Sequence, residues 1–118
     1  SGHALSQEAT SILGKRFERV VNVRPIEFDF SEDVDGQMKN IFREIPCKLD
    51  GSCPITIIPP GQATLSILLV TYLHGAIGHF PSICYLEATA DGLYLPKVEY
   101  VMSMQSVRSA GRKWRGPE

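Results

Sequence analysis

The chain has 118 residues, 43% apolar and 21% charged. That length and balance fit one soluble globular domain with a modest core and exclude a disordered chain. Twelve Lys and Arg against thirteen Asp and Glu leave a formal charge of −1, so the chain as a whole is no polycation. The charges are unevenly placed. Residues 51–86 carry none, 36 positions in a row, whereas Arg108, Arg112, Lys113 and Arg115 put four of the twelve cations into the last eleven residues.

The first predicted element is a helix over residues 5–13. Ser6 suits its cap, Glu8 its first turn and Gly14 its C-terminal end. Residues 17–23 alternate and are rich in Val, which predicts a strand. Ile26, Phe28 and Phe30 alternate with Glu27 and Asp29, an extended segment with one buried face. Ser31 then caps a second helix, with Glu32 and Asp33 in the turn where the helix dipole favours acids. Val34, Met38, Ile41 and Phe42 give that helix its apolar stripe. The five acids from Glu27 to Asp35 read as a solvated face.

Residues 45–54 contain Pro46, Gly51 and Pro54 and form a loop. The β-branched run at 55–58 predicts a strand covered on both faces. Pro59, Pro60 and Gly61 break the chain. A helix follows over 62–76, with Leu65, Leu68, Leu69, Tyr72 and Leu73 at helical spacing and Gly75 and Gly78 at its end. Residues 81–87 are a strand and Ala90-Asp91-Gly92 a turn. Residues 97–102 return as the antiparallel partner, and 105–114 form a short terminal helix.

This order describes an α/β domain over 1–118, a mainly parallel sheet with helices on both faces and a basic tail from 105 to 118. The charge-free run becomes its buried strand-helix-strand centre. A helix with no strand before it makes Ser1-Gly2-His3 read as a strand-to-helix loop whose strand is absent or truncated. No stretch approaches the roughly 20 apolar residues of a spanning helix, which argues against a membrane. Three cysteines without a framework or zinc spacing, and no leader, read as a reduced, cytoplasmic protein with neither metal nor cofactor.

Ligands of an open parallel sheet sit beyond the carboxyl ends of its strands. Pro60, Gly61, Gln62 and Ala63 lie there, at a helix N-terminus whose N–H groups and dipole suit a phosphate; a plain tight turn is the alternative. Ser1, Gly2 and His3, and Arg24 after the second strand, belong to the same edge. His74 and His79 belong to the opposite edge, since twelve residues of helix span about 18 Å. No nucleophile–base pair stands at a readable spacing, so no catalytic residue is assigned. The tail, with Arg112 and Trp114, suits phosphates and a stacked base, or is a solvated terminus.

Ser1-Gly2-His3-x-Leu5, Pro59-Pro60-Gly61, Leu73-His74-Gly75-x-x-Gly78-His79-Phe80-Pro81 and Val107-Arg108-x-x-x-Arg112 together resemble a small CRISPR-associated accessory family. It is the Csx family numbered fifteen, found with type III systems. Family members begin with an apolar strand leading into Asn-Phe-Ser-Gly-His, whereas this sequence starts at the Ser. The resemblance implies a Rossmann-like three-layer sandwich related to the CARF domains that sense cyclic oligoadenylate. It implies a homodimer with the ligand across its two-fold axis, and further assembly bridged by ligand. It also implies cyclic tetra-adenylate as partner, rather than DNA, held by Ser1, Gly2, His3, Arg24, Pro60, Gly61, Gln62, Ala63 and Arg112. Sequestration without cleavage is the expected activity. Cleavage by 2′-hydroxyl attack is the alternative, and an RNA- or protein-interaction module a second.

Overall fold

The computed structural model describes residues 5–21, 27–46 and 48–115. They form a mixed α/β fold of four α-helices, a three-stranded sheet and a separate hairpin.

Helix α1 spans Gln7–Arg16. The Ser6 hydroxyl accepts from the Ala9 amide at 3.1 Å, which satisfies one of the first-turn donors. The helix runs past Gly14, because one glycine costs only about 1 kcal/mol and Lys15 and Arg16 suit the negative end of the dipole. Ala9 and Leu13, four apart, are its buried face and pack toward the hairpin. The strand predicted at 17–23 does not form over residues 17–21, which are irregular. Their alternating pattern finds no sheet neighbour among the described residues, and residues 22 and 23 lie outside them.

Helix α2, Val34–Phe42, begins two residues later than its sequence suggests. Asp33, not Ser31, is the cap and accepts from the Gly36 amide at 3.1 Å. Ser31 instead closes a turn on Asp29, its amide and hydroxyl both donating to one carboxylate oxygen at 2.9 and 2.6 Å. Two acceptors compete for the first turn, and the one nearer the apolar stripe wins.

Strand β1 is only Thr56–Ile57 and is half-buried, not covered on both faces. Helix α3, Ala63–Ile77, connects it to β2, Ser82–Ile83, which lies parallel to β1. The Ser82 and Cys84 amides donate to the Ile55 and Ile57 carbonyls at 3.0 and 2.9 Å. The predicted strand at 81–87 splits after Ile83. Its second half is β3, Leu86–Ala88, paired with β4, Tyr94–Pro96, across the expected 90–92 turn, where Gly92 takes φ 80°. The predicted strand at 97–102 is largely a 3₁₀ turn, Val98–Tyr100, that brings the chain back to the sheet. Only Met102–Ser103, β5, is extended, antiparallel to β2. The described sheet order is therefore β1-β2-β5, with β2 and not β1 at its centre.

Leu65, Leu69, Leu73 and Ile77 make one buried stripe along α3, each contributing about 1.5–3 kcal/mol by leaving water. Leu65 and Leu69 meet Met38 of α2, and Phe42 stacks on Tyr72 with ring centroids 5.6 Å apart. Gly75 lies inside the helix. Gly78 ends it in the left-handed conformation, φ 84°, its N–H donating to the His74 carbonyl at 2.9 Å. Gly51, φ 87°, crosses that same end so closely that a Cβ would stand 2.6 Å from the Ile77 carbonyl oxygen. The charge-free run is thus only partly core, since Ile67 in its middle is 67% exposed. The radius of gyration is 15.4 Å, against about 13.5 Å for a compact chain of this length.

Helix α4, Met104–Lys113, closes the chain and has no buried residue.

Candidate functional site

The β1–α3–β2 unit puts one helix N-terminus beyond the carboxyl end of β1. After Ile57 the chain passes through Ile58 and two prolines, neither of which can donate to a ladder, so the strand stops. Gly61, Gln62, Ala63 and Thr64 are exposed and Pro60 is half-buried. Gly61 does not take a positive φ, so the loop turns without a left-handed residue there.

Gln62 is the cap of α3. Its side-chain oxygen accepts from the Leu65 amide at 2.6 Å, and its carbonyl accepts from the Ser66 amide at 3.1 Å. Glutamine is outside the usual capping set, and nothing in the sequence signals this role. The Ser66 hydroxyl lies 2.8 Å from the Pro60 carbonyl and 3.2 Å from that of Gln62, which fixes the loop to the first helical turn. Ser66 is a positioning residue that sequence reasoning passes over. Leu65 and Ser66 being satisfied, the Ala63 and Thr64 amides are the first-turn donors left for an outside acceptor.

No charged side chain of residues 51–86 faces that turn, for there is none. At the same end of the sheet stands Lys97, whose amide donates to the Tyr85 carbonyl just after β2. Its ammonium is spoken for, 3.2 Å from Glu99 and 3.2 Å from Glu87. Those two hydrogen bonds, the Glu99 one the larger, raise its pKa. On α2, Lys39 lies 3.0 Å from Asp35, which also accepts from the Tyr72 hydroxyl at 3.0 Å. The Lys39 and then the Tyr72 hydrogen bond hold the Asp35 carboxyl below its usual range.

Among the other candidates, Ser1, Gly2, His3 and Arg24 lie outside the described residues. Arg112 stands on α4, which leaves the sheet from its opposite edge. There the Met104 amide donates to the Pro81 carbonyl at 3.2 Å, and the Gln105 side-chain oxygen accepts from the Phe80 amide at 3.1 Å. Pro60, Gly61, Gln62 and Ala63 share one loop, whereas Arg112 stands on a helix whose start lies at the opposite end of the sheet. His74 and His79 occupy that far edge too. The His74 ring lies 4.0 Å from the Phe80 ring, and His79 Nδ1 is 3.1 Å from the Phe80 carbonyl.

Cys84 is buried. Desolvation first, and the Glu99 charge second, push its thiol pKa up, which keeps it protonated and a poor nucleophile. Cys47 lies outside the described residues. No cluster of three metal-ligating side chains occurs among the described residues, and no described helix is long and apolar enough to cross a membrane. No protein-family model, curated protein or solved structure matches the chain.

Proposed function

We propose that the chain is a Rossmann-like, CARF-related domain that binds a cyclic oligoadenylate, most simply cyclic tetra-adenylate, and sequesters it uncleaved. The observation that carries this reading is the first turn of α3. Two backbone amides with no side-chain cap face outward at the carboxyl end of a parallel strand, where the helix dipole favours a phosphate. The loop carries no fixed charge, so the remaining cations come from Arg24, from the tail around Arg112, or from a second subunit. Ser1, Gly2 and His3 belong to the same proposed site by the family resemblance. The ligand's two-fold repeat fits a homodimer, and the setting is the cytoplasm.

The test is calorimetric titration of the protein with cyclic tetra-adenylate, followed by mass analysis of the recovered nucleotide. Saturable binding and an intact ring are expected. Gly61→Asp adds bulk and a negative charge at the positive end of the dipole and weakens binding about tenfold or more. Equal affinity in this variant moves the site away from the loop. Linear products at multiple turnover replace sequestration by cleavage. No heat and no retained ligand at micromolar protein remove the reading altogether.

A further inference from the structure

Helix α4 is amphipathic and uncovered. Met104, Val107, Gly111 and Trp114 recur at three and four residues and share one face. Val107 is 58% exposed and Trp114 91%. The helix start packs on β2, and residues 106–115 are exposed. The four cations from Arg108 to Arg115 have no hydrogen bond or ion pair from their side chains among the described residues. Apolar residues at helical spacing beside unpaired cations mark a surface that gains by being covered.

A matching surface lies elsewhere on the chain. The segment 27–35 carries five exposed acids. Asp35 is paired with Lys39, while Glu27, Asp29, Glu32 and Asp33 have no cation partner among the described residues. Phe30, 44% exposed, sits amid them and against Phe28, ring centroids 5.1 Å apart. Among the described residues, one molecule therefore displays four cations without an ion-pair partner near an exposed Trp and four such carboxylates near an exposed Phe. The two patches are opposite in sign, equal in the number of these charges and alike in having an aromatic centre.

We propose that α4 of one molecule docks on the 27–35 segment of a second copy of this chain, with Trp114 against Phe30 and the helix cations over the carboxylates. The same contact made twice gives a closed reciprocal pair, each subunit lending its helix to the other. A single-stranded nucleic acid answers the cations and can stack a base on Trp114, but the acid-ringed Phe30 offers both complements on this same chain. The contact needs no nucleotide and stands apart from the α3 loop.

Sedimentation equilibrium of the intact chain without ligand, at tens of micromolar, tests it. At 50 mM salt the wild type has at least twice the mass of R108E/R112E/K113E or E27K/D29K/E32K, each of which reverses the sign of its patch. At 1 M salt, where screening shortens to about 3 Å, the wild type falls to the variants' mass. An equimolar mixture of the two variants regains the wild-type mass, because each reversed patch meets its complement. Variants that keep the wild-type mass, a mixture that does not reassemble, or a wild type indifferent to salt each overturn the proposal. So does a wild type that stays single while α4 captures single-stranded RNA or phosphatidylserine vesicles. The wild-type salt response stands even where a variant folds poorly, and the wild-type nucleotide titration tests the α3 loop separately.

Discussion

Helices α3 and α4 use the same periodicity to opposite ends. In α3 the stripe from Leu65 to Ile77 is buried and the solvent side carries no charge at all. In α4 Met104 is half-buried at the start, the rest of the stripe to Trp114 is exposed, and Arg108, Arg112 and Arg115 flank it. Both are capped by a side chain at the third amide onward, Gln62 to Leu65 and Ser103 to Ser106, so local stop and start signals do not separate them. What separates them is a covering surface. Met38 and its neighbours close over α3, while α4 packs on β2 at its start and residues 106–115 are exposed. An apolar stripe yields its transfer free energy only when something removes it from water. That makes α3 a source of monomer stability and α4 a source of association.

The sharpest way to break this contrast is Leu73→Ala. Leu73 is fully buried, and truncation there costs about 2–5 kcal/mol, read as a lowered urea midpoint at unchanged slope. A loss below 1 kcal/mol would put α3 on the same footing as α4. Gly51→Ala comes next. Its Cβ meets the Ile77 carbonyl and its φ is 87°, so the loop must leave the end of α3 at a cost of about 1–3 kcal/mol, measured by thermal unfolding. The smallest effect belongs to Val107→Ser. An exposed position in an uncovered helix shifts monomer stability by no more than about 0.5 kcal/mol, as seen in urea unfolding at high salt. A larger loss would mean that α4 is packed on its own subunit.

The same distinction marks what the sequence makes legible. The long helix, its Gly78 stop, the Ser6 cap and the terminal helix are readable because each rests on contacts within a few residues. The strands are not. Alternation at 17–23 predicts a strand, but pairing is non-local, and residues 17–21 are irregular with no strand partner among the described residues. Residues 81–87 look like one strand, yet the chain changes partner after Ile83, from β1 and β5 to the hairpin. Within the candidate site, the Pro-Pro-Gly break and the helix start are visible beforehand. The Gln62 cap and the Ser66 tie to Pro60 are not, because Gln and Ser are compatible with many positions and only the turn geometry selects these bonds. Lys97 reads only as the start of a strand; the fold gives its ammonium two carboxylates, Glu87 and Glu99.

The most direct test of where the molecule takes an anionic ligand is amide chemical-shift mapping during titration with cyclic tetra-adenylate. Two backbone donors at the start of α3 are the claim, so the Ala63 and Thr64 amides should show the largest shifts, saturating with ligand, while residues 104–115 move less. Saturable shifts confined to the Arg108–Arg115 stretch, with Ala63 and Thr64 unmoved, would contradict it.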